Sequence, residues 1–267
     1  MELCKNHPGI NDSEYLSRRE YFHNIVSVFN NQGVGIVEYT DSENNLWNLI
    51  YQDLKQMHNK YACTSYLKYI ELLEEKKIFT AEKIPQIKEI NNFLFSKTKF
   101  RLKPVNGLIS SREFLNSLAD RVFNCTLYIR HKSKPFYTPE PDLVHEFLGH
   151  VPLFADLEFA DLSEKIGKAS LYMNDEELLK LTRFYWFTIE FGLCKEGNKN
   201  KVYGAGILSS LGEIEYSLSK ESNVKDFKVS EVVNTDYPTT EYQPIYYRVN
   251  SFEDAKKQLL EYIKYKN

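Results

Sequence analysis

Residues 138–153, TPEPDLVHEFLGHVPL, contain two histidines five positions apart, and this spacing constrains how the chain folds around them. His145 and His150 offer imidazole nitrogens, which bind several divalent transition metals. At 3.6 residues per turn, residues five apart lie about 140° apart around an ideal helix, so a regular helix cannot aim both rings at one ion. The pair therefore requires an irregular turn, which the prolines and Gly149 permit at the edges of the segment. The same spacing disfavours a zinc peptidase motif, whose two histidines are four residues apart.

A third metal ligand is expected from another part of the chain, and Glu190 is the candidate. It lies in the apolar stretch YWFTIEFGL, where an unpaired carboxylate would cost several kcal/mol unless it pairs with a cation or binds a metal. Two histidines and one carboxylate on one face of an ion leave positions open for oxygen and a cosubstrate, as in non-haem iron(II) oxygenases. Spacing alone leaves two alternatives open, which are hydrogen-bonded core histidines and a buried ion pair of Glu190 with an Arg or Lys.

Composition favours a globular protein with small-molecule partners. The 267 residues are 42% hydrophobic and 27% charged, and the formal charge of -3 provides no general attraction for nucleic acid or anionic lipid. No apolar run reaches the roughly 18–20 residues needed to span a bilayer, and the N-terminus lacks the apolar segment of a signal peptide. We therefore expect a cytoplasmic protein without nucleic-acid or membrane partners. The four cysteines form no CxxC pair, which predicts neither a disulfide framework nor a zinc ribbon.

Hydrophobic periodicity predicts a mostly α-helical fold. Apolar residues recur at three- and four-residue steps in six segments, at residues 12–29, 46–61, 63–77, 84–95, 175–193 and 251–266. Short polar stretches such as DSENN, residues 41–45, are expected to be turns between helices.

Two four-residue motifs have the form of a capping box that starts a helix. They are SRRE at residues 17–20 and SSRE at residues 110–113, the latter before FLNSLADRVF. Strand patterns are restricted to residues 201–207 and 242–249. With no repeat or linker, residues 1–267 are expected to form one catalytic domain, mostly α with small β elements.

Four motifs resemble those of the pterin-dependent aromatic amino acid hydroxylases. In chain order they are GLISSREFL, TPEPDLVHEFLGHVPLF, YWFTIEFGLCK and YGAGILSSLGE. The resemblance extends from about His7 to the last predicted helix. It implies a monooxygenase that uses Fe(II), a tetrahydropterin and O2 to hydroxylate the ring of an aromatic L-amino acid. It also implies that His145, His150 and Glu190 hold the iron.

The same resemblance implies binding residues for the two organic molecules. The positions that match the pterin site are Gly107, Leu108, Ile109, Ser111, Phe114, Glu146 and Tyr185, with the Phe114 ring stacking on the pterin. The positions that match the amino acid site are Arg130, Thr138, Pro141, Asp142, Trp186, Phe191, Gly206 and Ser209. Arg130 would pair with the substrate carboxylate while Asp142 orients it, and Ser209 would hydrogen-bond a ligand histidine.

Substrate preference depends on the variable positions of the pocket. Asn124 replaces the histidine usual in the animal enzymes, and Thr239 offers neither a charge nor a large apolar wall. Trp186 is expected to favour phenylalanine and to leave some activity on tyrosine or tryptophan. The resemblance covers neither a regulatory domain nor a tetramer-forming tail, so a monomer is expected. Two alternative functions remain, a zinc hydrolase with Glu146 as general base and a non-catalytic pterin- or amino-acid-binding protein.

Overall fold

The computed structural model describes residues 3, 5–239 and 241–264, without the side chains of residues 30–32. Cys4 and the last two residues of the segment 251–266 therefore lie outside the described residues. The structure is about 54% helical with a few short strands, which confirms the predicted fold class.

Four helices make up the N-terminal part of the fold and agree with the periodicity of the sequence. They are α1 (Ser13–Gln32), α2 (Asp41–Tyr61), α3 (Thr64–Glu75) and α4 (Ile87–Lys97). The prediction of a turn at residues 41–45 is wrong. Thr40 and Glu43 form a capping box, which starts α2 at Asp41 instead of Leu46.

The SRRE motif does not start a helix, so this prediction is also wrong. Asp12 is the N-cap of α1, and its carboxylate accepts the backbone N–H of Tyr15 at 3.0 Å. The Ser17 hydroxyl then donates to Ser13 O at 2.9 Å, as expected inside a helix. The SSRE motif does start α5 (Ser111–Leu118), because the Ser110 side chain accepts the Glu113 N–H.

The segment FLNSLADRVF is only partly helical. α5 ends at Leu118, and Val122–Cys125 forms strand β2, which pairs in parallel with β1 (Arg101–Pro104). Arg121 lies between α5 and β2, where it turns the chain with a positive φ of 56°. Its guanidinium offsets this backbone conformation by donating to Thr98 O at 2.6 Å and to Glu164 at 2.7 Å.

The second half of the chain contains two π-helical turns and further α-helices. The turns are π1 (His145–His150) and π2 (Trp186–Glu190). The helices are α6 (Val151–Phe154), α7 (Leu157–Ser170), α8 (Asp175–Tyr185), α9 (Ala205–Leu208), α10 (Leu211–Ser217), α11 (Val229–Val232) and α12 (Phe252–Lys264). The periodicity predicted α8 and α12 but missed α7 and α10.

A four-stranded sheet has the strand order β4-β3-β6-β5. Its strands are β3 (Gly192–Glu196), β4 (Lys199–Val202), β5 (Val224–Asp226) and β6 (Tyr246–Val249). The predicted helix at residues 175–193 therefore ends at Glu190. The two predicted strands are shorter than expected, because residues 201–207 already enter α9 and residues 242–249 pair only from Tyr246.

A single hydrophobic cluster connects buried residues from α1 to α12. Trp47, Tyr66 and Tyr246 are among its fully buried side chains. The assignment of residues 1–267 to one domain stays a prediction. Within the described ranges, no helix combines the length and the apolarity that a bilayer crossing demands.

Replacement of Gly167 by Ala tests the close packing of α7 on α5. A Cβ atom at this position would lie 2.1 Å from Ala119 N and 2.5 Å from Leu118 C. We expect the free energy of unfolding to fall by about 1–3 kcal/mol, despite the better helix propensity of alanine, because backbone must move to admit the methyl group. Urea denaturation measures this change. Lys168→Ala, at the exposed neighbouring position, is the control, and its free energy of unfolding should change by no more than about 0.5 kcal/mol. Equal stabilities of the two variants would contradict the predicted clash.

Candidate active site

Two π-helical turns carry the three proposed metal ligands. In π1 the N–H of Val151 donates to Glu146 O, and after π2 the N–H of Phe191 donates to Trp186 O at 2.8 Å. Both hydrogen bonds join residues five apart, which widens the turn relative to an α-helix. The wider turn brings His145 and His150 to the same side of π1. The predicted irregularity is therefore present, but it lies within the HEFLGH segment and not at its proline-containing edges.

The ligand atoms converge at distances that suit one cation. Nε2 of His145 and Nε2 of His150 are 3.0 Å apart, and the Glu190 carboxylate oxygens lie 3.4 and 3.3 Å from them. Two ligand atoms held at right angles about 2.1 Å from an ion would be about 3.0 Å apart. The three side chains thus fit one face of an octahedral divalent ion, and the alternatives of separate core histidines or a Lys or Arg partner for Glu190 are disfavoured.

Ser209 fixes which nitrogen of His145 carries the hydrogen. The Ser209 hydroxyl donates to Ala205 O at 2.8 Å, and its oxygen lies 3.1 Å from Nδ1 of His145. Because the hydroxyl has only one hydrogen, Nδ1 of His145 must be the donor in this contact. Nε2 then presents its lone pair to the metal position. Burial lowers the pKa of His145 to about 4, which keeps this ring neutral near pH 7.

Glu190 supplies the negative charge of the ligand set. Burial opposes ionisation, yet the interactions with the adjacent His150 and His145 side chains lower the pKa of Glu190 to about 2. His150 is held differently from His145, since its ring lies 4.5 Å from the Phe123 ring and stacks on Phe154 at 5.8 Å. Its buried Nδ1 has no hydrogen-bond partner among the described residues.

A second group of metal-ligating side chains lies near the start of α3. Atoms of Cys63, Cys194 and Glu196 come within 4.8 Å of one another, although the sequence predicted no cysteine site. Both oxygens of Glu196 are already engaged by Thr64, through its N–H at 2.7 Å and its hydroxyl at 2.9 Å. A hydrogen bond with Cys63, and then burial, raise the pKa of Cys194 well above its usual range. This group is thus poorly prepared to bind a metal.

A cavity beside the three ligands is lined by every residue predicted for the pterin. They are Gly107, Leu108, Ile109, Ser111, Phe114, Glu146 and Tyr185. Phe123 and Tyr185 pack edge-on against the Phe114 ring, with centroids 5.5 and 5.4 Å away. These two contacts hold the Phe114 ring in place in the cavity wall, where a planar ligand could stack on it.

Glu146 contributes a buried carboxyl group to this cavity. One oxygen, Oε1, accepts the N–H and the hydroxyl of Thr126 at 3.1 and 3.2 Å. Burial raises the pKa of Glu146 well above its usual range, which favours the protonated form of this carboxyl group. In the protonated form the carboxyl can donate a hydrogen bond to a ligand.

Arg130 and Asp142 form a buried bidentate pair close to the ligands. Nε and Nη2 of Arg130 lie 2.9 and 2.8 Å from the two Asp142 oxygens. Nη1 makes only 3.5 Å contacts with Pro135 O and Ser209 O, which leaves hydrogens of the guanidinium available to an anionic ligand. Asp142 also accepts the N–H of His145 at 3.2 Å. The carboxylate therefore connects the arginine to the start of π1.

The other residues predicted for the substrate differ in position. Pro141 and Trp186 line the cavity, whereas Thr138, Phe191 and Gly206, like Arg130, Asp142 and Ser209, are not part of its described wall. The Thr138 hydroxyl donates to Glu140 O at 2.6 Å and so stabilises its own loop. A Cβ atom at Gly206 would lie 2.6 Å from the Phe191 ring, so glycine is required for this packing.

Comparison with known proteins shows the family to which the chain belongs. A model of the biopterin-dependent aromatic amino acid hydroxylases matches residues 1–266. The chain belongs to this family. The resemblance inferred from four motifs is thereby confirmed.

Individual hydroxylases of the family support the match. The phenylalanine-4-hydroxylase of Bos taurus is 48% identical over 97% of this chain and 57% of the relative, and that of Dictyostelium discoideum is 45% identical over 98% and 59%. The chain spans a little over half the length of these curated relatives. Chromobacterium violaceum phenylalanine hydroxylase, solved with iron(III) and oxidised 7,8-dihydrobiopterin, has a TM-score of 0.79 at 32% identity, covering 86% of this chain and 83% of that one.

Within this hydroxylase fold, Gln243 fixes the position of the Trp186 side chain. The sequence patterns did not identify Gln243 as a site residue. Trp186 Nε1 donates to Gln243 Oε1 at 2.9 Å, and the indole stacks on Tyr237 with centroids 4.1 Å apart. Gln243 is buried and donates to Pro238 O at 3.1 Å. A single Gln among polar loop residues carries no periodic pattern, so only the contact across 57 residues identifies it.

The two departures from the family pattern lie in different environments. Asn124 lines the cavity and donates to the Ser117 hydroxyl at 2.9 Å. Thr239 is exposed and is not part of the cavity wall in the described structure.

The ligand geometry predicts uptake of about one Fe(II) ion per chain by the purified protein. Replacement of His145, His150 or Glu190 by Ala should abolish this uptake, because two remaining ligands cannot complete the face. Metal analysis after desalting measures the ion content. Glu196→Ala, in the second group of ligating residues, is the matched control and should retain the ion. Normal iron content in Glu190→Ala would remove this residue from the ligand set.

Proposed function

We propose that this chain is an iron(II)- and tetrahydropterin-dependent monooxygenase that hydroxylates the ring of an aromatic L-amino acid, with phenylalanine preferred. The observation that carries the proposal is the convergence of His145, His150 and Glu190 beside the cavity that contains Phe114 and Glu146. Two neutral nitrogens and one carboxylate are the donor set typical of non-haem iron(II) oxygenases. When bound, iron and tetrahydropterin would supply the electrons and the activated oxygen for ring hydroxylation.

The chain's own residues would orient the pterin next to the metal. Phe114 would offer its ring for stacking, and Glu146 would offer a carboxyl group whose raised pKa favours the form that donates a hydrogen bond. The segment that contains Gly107, Leu108 and Ile109 forms another part of the wall. Gly107 has a positive φ of 101°, which a residue with a side chain rarely adopts. This backbone conformation supports a role for main-chain groups in pterin binding.

The Arg130 guanidinium would bind the carboxylate of the amino acid. Asp142 already holds it in a fixed orientation, so little conformational entropy is lost when the substrate pairs with the remaining hydrogens. Trp186, with Phe191 at 4.6 Å and Tyr237 at 4.1 Å, forms an aromatic group near the cavity. Trp186 and Tyr237, which line the cavity, would contact the substrate ring and exclude water, while Phe191 would support Trp186.

The zinc hydrolase alternative finds little support in the site. It needs Glu146 as a general base, but one oxygen of this carboxyl already accepts two hydrogen bonds from Thr126, and burial favours its protonated form. The non-catalytic binding protein does not account for two imidazoles aimed at one point beside a carboxylate. Both alternatives predict no oxygen consumption, so product analysis with Phe, Tyr and Trp, tetrahydrobiopterin and Fe(II) separates them from the proposal.

The monomeric state and the cytoplasmic location stay predictions. Light scattering tests the first, because a tetramer at all concentrations would contradict it.

Arg130→Ala should weaken binding of the amino acid, and Phe114→Ala should weaken binding of the pterin. Loss of a charge-assisted contact costs about 1.5–3 kcal/mol, so Arg130→Ala should raise the KM for the amino acid roughly 10- to 150-fold and change the KM for the pterin much less. Phe114→Ala should do the reverse. Steady-state kinetics with each substrate varied in turn measures both constants. Because Asp142 loses its buried partner in Arg130→Ala, circular dichroism must first verify the fold. Equal effects on both KM values would reject the assignment.

Trp186→Phe should reduce the discrimination between phenylalanine and tryptophan. The indole of Trp186 would crowd a second indole, and small changes in the fit of an apolar pocket alter specificity by about 1–3 kcal/mol. We expect wild-type kcat/KM to be higher for phenylalanine, and the ratio of the two values to move towards one in the variant. Competition assays with product quantification measure this ratio. A wild-type preference for tryptophan of about tenfold or more would contradict the argument on pocket size.

A further inference from the structure

A buried histidine and a buried tyrosine lie behind π1, in helices that contribute no metal ligand. His58 is in the last turn of α2 and Tyr66 is in the first turn of α3, and their side chains are 2% and 0% exposed. The two rings meet edge-on with centroids 4.9 Å apart. The Tyr66 hydroxyl oxygen lies 3.0 Å from Nδ1 of His58. They therefore form one hydrogen-bonded unit.

This unit contacts the backbone of π1, which carries the two histidines, and of α9, which leads to Ser209 beside His145. The Tyr66 hydroxyl donates to Leu148 O at 2.8 Å, and Leu148 lies between the two ligand histidines of π1. Nε2 of His58 lies 2.7 Å from Leu208 O, in the residue directly before Ser209. Because a carbonyl only accepts, Nε2 of His58 carries the hydrogen in this contact.

The protonation of His58 agrees with this arrangement. Burial lowers the pKa of His58 to about 4, so the ring is neutral near pH 7 and Nδ1 is an acceptor. The single hydroxyl hydrogen of Tyr66 then lies between Nδ1 and Leu148 O, with the shorter distance to Leu148 O. Replacement of either side chain would leave a buried carbonyl without this partner.

The two contacted carbonyls belong to the parts of the fold that orient His145 and His150. Leu148 is inside the wide π1 turn, whose hydrogen bonds join residues five apart and whose geometry sets the 3.0 Å separation of the two Nε2 atoms. Leu208 precedes Ser209, whose hydroxyl selects the hydrogen position on His145. A shift of either carbonyl would therefore change the position of a ligand nitrogen.

We propose that His58 and Tyr66 are positioning residues of the metal site, which hold π1 and the Leu208–Ser209 backbone so that the ligand nitrogens converge. This inference rests on the proposed role of His145 and His150 as metal ligands. Outer groups that orient ligands commonly change metal affinity by roughly 10- to 100-fold when they are removed. Neither residue belongs to a motif by which the family was recognised.

Tyr66→Phe is the most direct variant, because it removes only the hydroxyl group. Titration of the metal-free full chain with Co(II) measures the dissociation constant, and the visible absorption bands of bound Co(II) report the arrangement of its ligands. We expect Tyr66→Phe to raise the dissociation constant roughly 10- to 100-fold and to alter the bands. Tyr69→Phe is the matched control on the same helix, since its hydroxyl makes no hydrogen bond within the described ranges. This control should bind Co(II) like the wild type.

A pair of His58 variants separates hydrogen bonding from packing. In His58→Gln the side-chain amide can still donate to Leu208 O, whereas His58→Leu keeps bulk and removes the donor. We expect His58→Gln to retain most of the Co(II) affinity and His58→Leu to lose roughly 10- to 100-fold. If His58→Leu does not fold, the comparison of Tyr66→Phe with Tyr69→Phe decides the question.

The outcomes distinguish this inference from the proposed function. Wild-type Co(II) affinity and unchanged bands in Tyr66→Phe would overturn the positioning role, even if urea denaturation showed lower stability. A wild-type chain that binds no Co(II) would overturn the proposed metal site, and the positioning role with it. Weak binding and altered bands in Tyr66→Phe, with a normal Tyr69→Phe, would establish the role.

Discussion

The geometry of the site depends on the hydrogen bonds between residues five apart in two short turns. Without them, His145 and His150 would point about 140° apart around a regular helix, and no single ion would reach both. The N–H of Val151 and the N–H of Phe191 each reach back five residues and widen the turn that carries a ligand. Single π-type turns inside longer helices are uncommon and frequently occur at functional sites. Here one turn brings two ligands together and the other directs Glu190 towards them.

These wide turns depend on tight packing around them. A Cβ atom at Gly149 would lie 2.7 Å from Ala205 O, so glycine allows π1 to lie directly against α9. This contact brings Ser209, at the end of α9, next to Nδ1 of His145. Small residues and backbone contacts thus determine the chemistry of a polar site. Tyr66 of α3 donates to Leu148 O of π1, and His58 of α2 contacts Leu208 O of α9.

The sequence predicted the fold class better than it predicted the boundaries of the elements. His145, His150 and Glu190, which the structure brings together, could be proposed as ligands because a buried charge and an unusual histidine spacing both require an explanation. The strands were largely missed, because they are three to five residues long and depend on partners that are distant in sequence. α7 was missed although it is 14 residues long, since Gly167 and two serines weaken its apolar pattern. The contacts of Gln243 and His58 had no sequence pattern, as they join residues 57 and 150 positions apart.

Asp142 connects Arg130 with the start of π1, and this connection affects both parts of the site. Its carboxylate accepts hydrogen bonds from the Arg130 guanidinium and also from the N–H that begins π1. The group that orients Arg130, the proposed substrate-binding residue, therefore also helps to fix His145, a proposed metal ligand. Under the proposed function, amino acid binding and metal binding would share the Asp142 contact, so each would change the free energy of the other by the same amount. The proposed amino acid and metal sites would then be two parts of one binding unit, joined by a buried carboxylate.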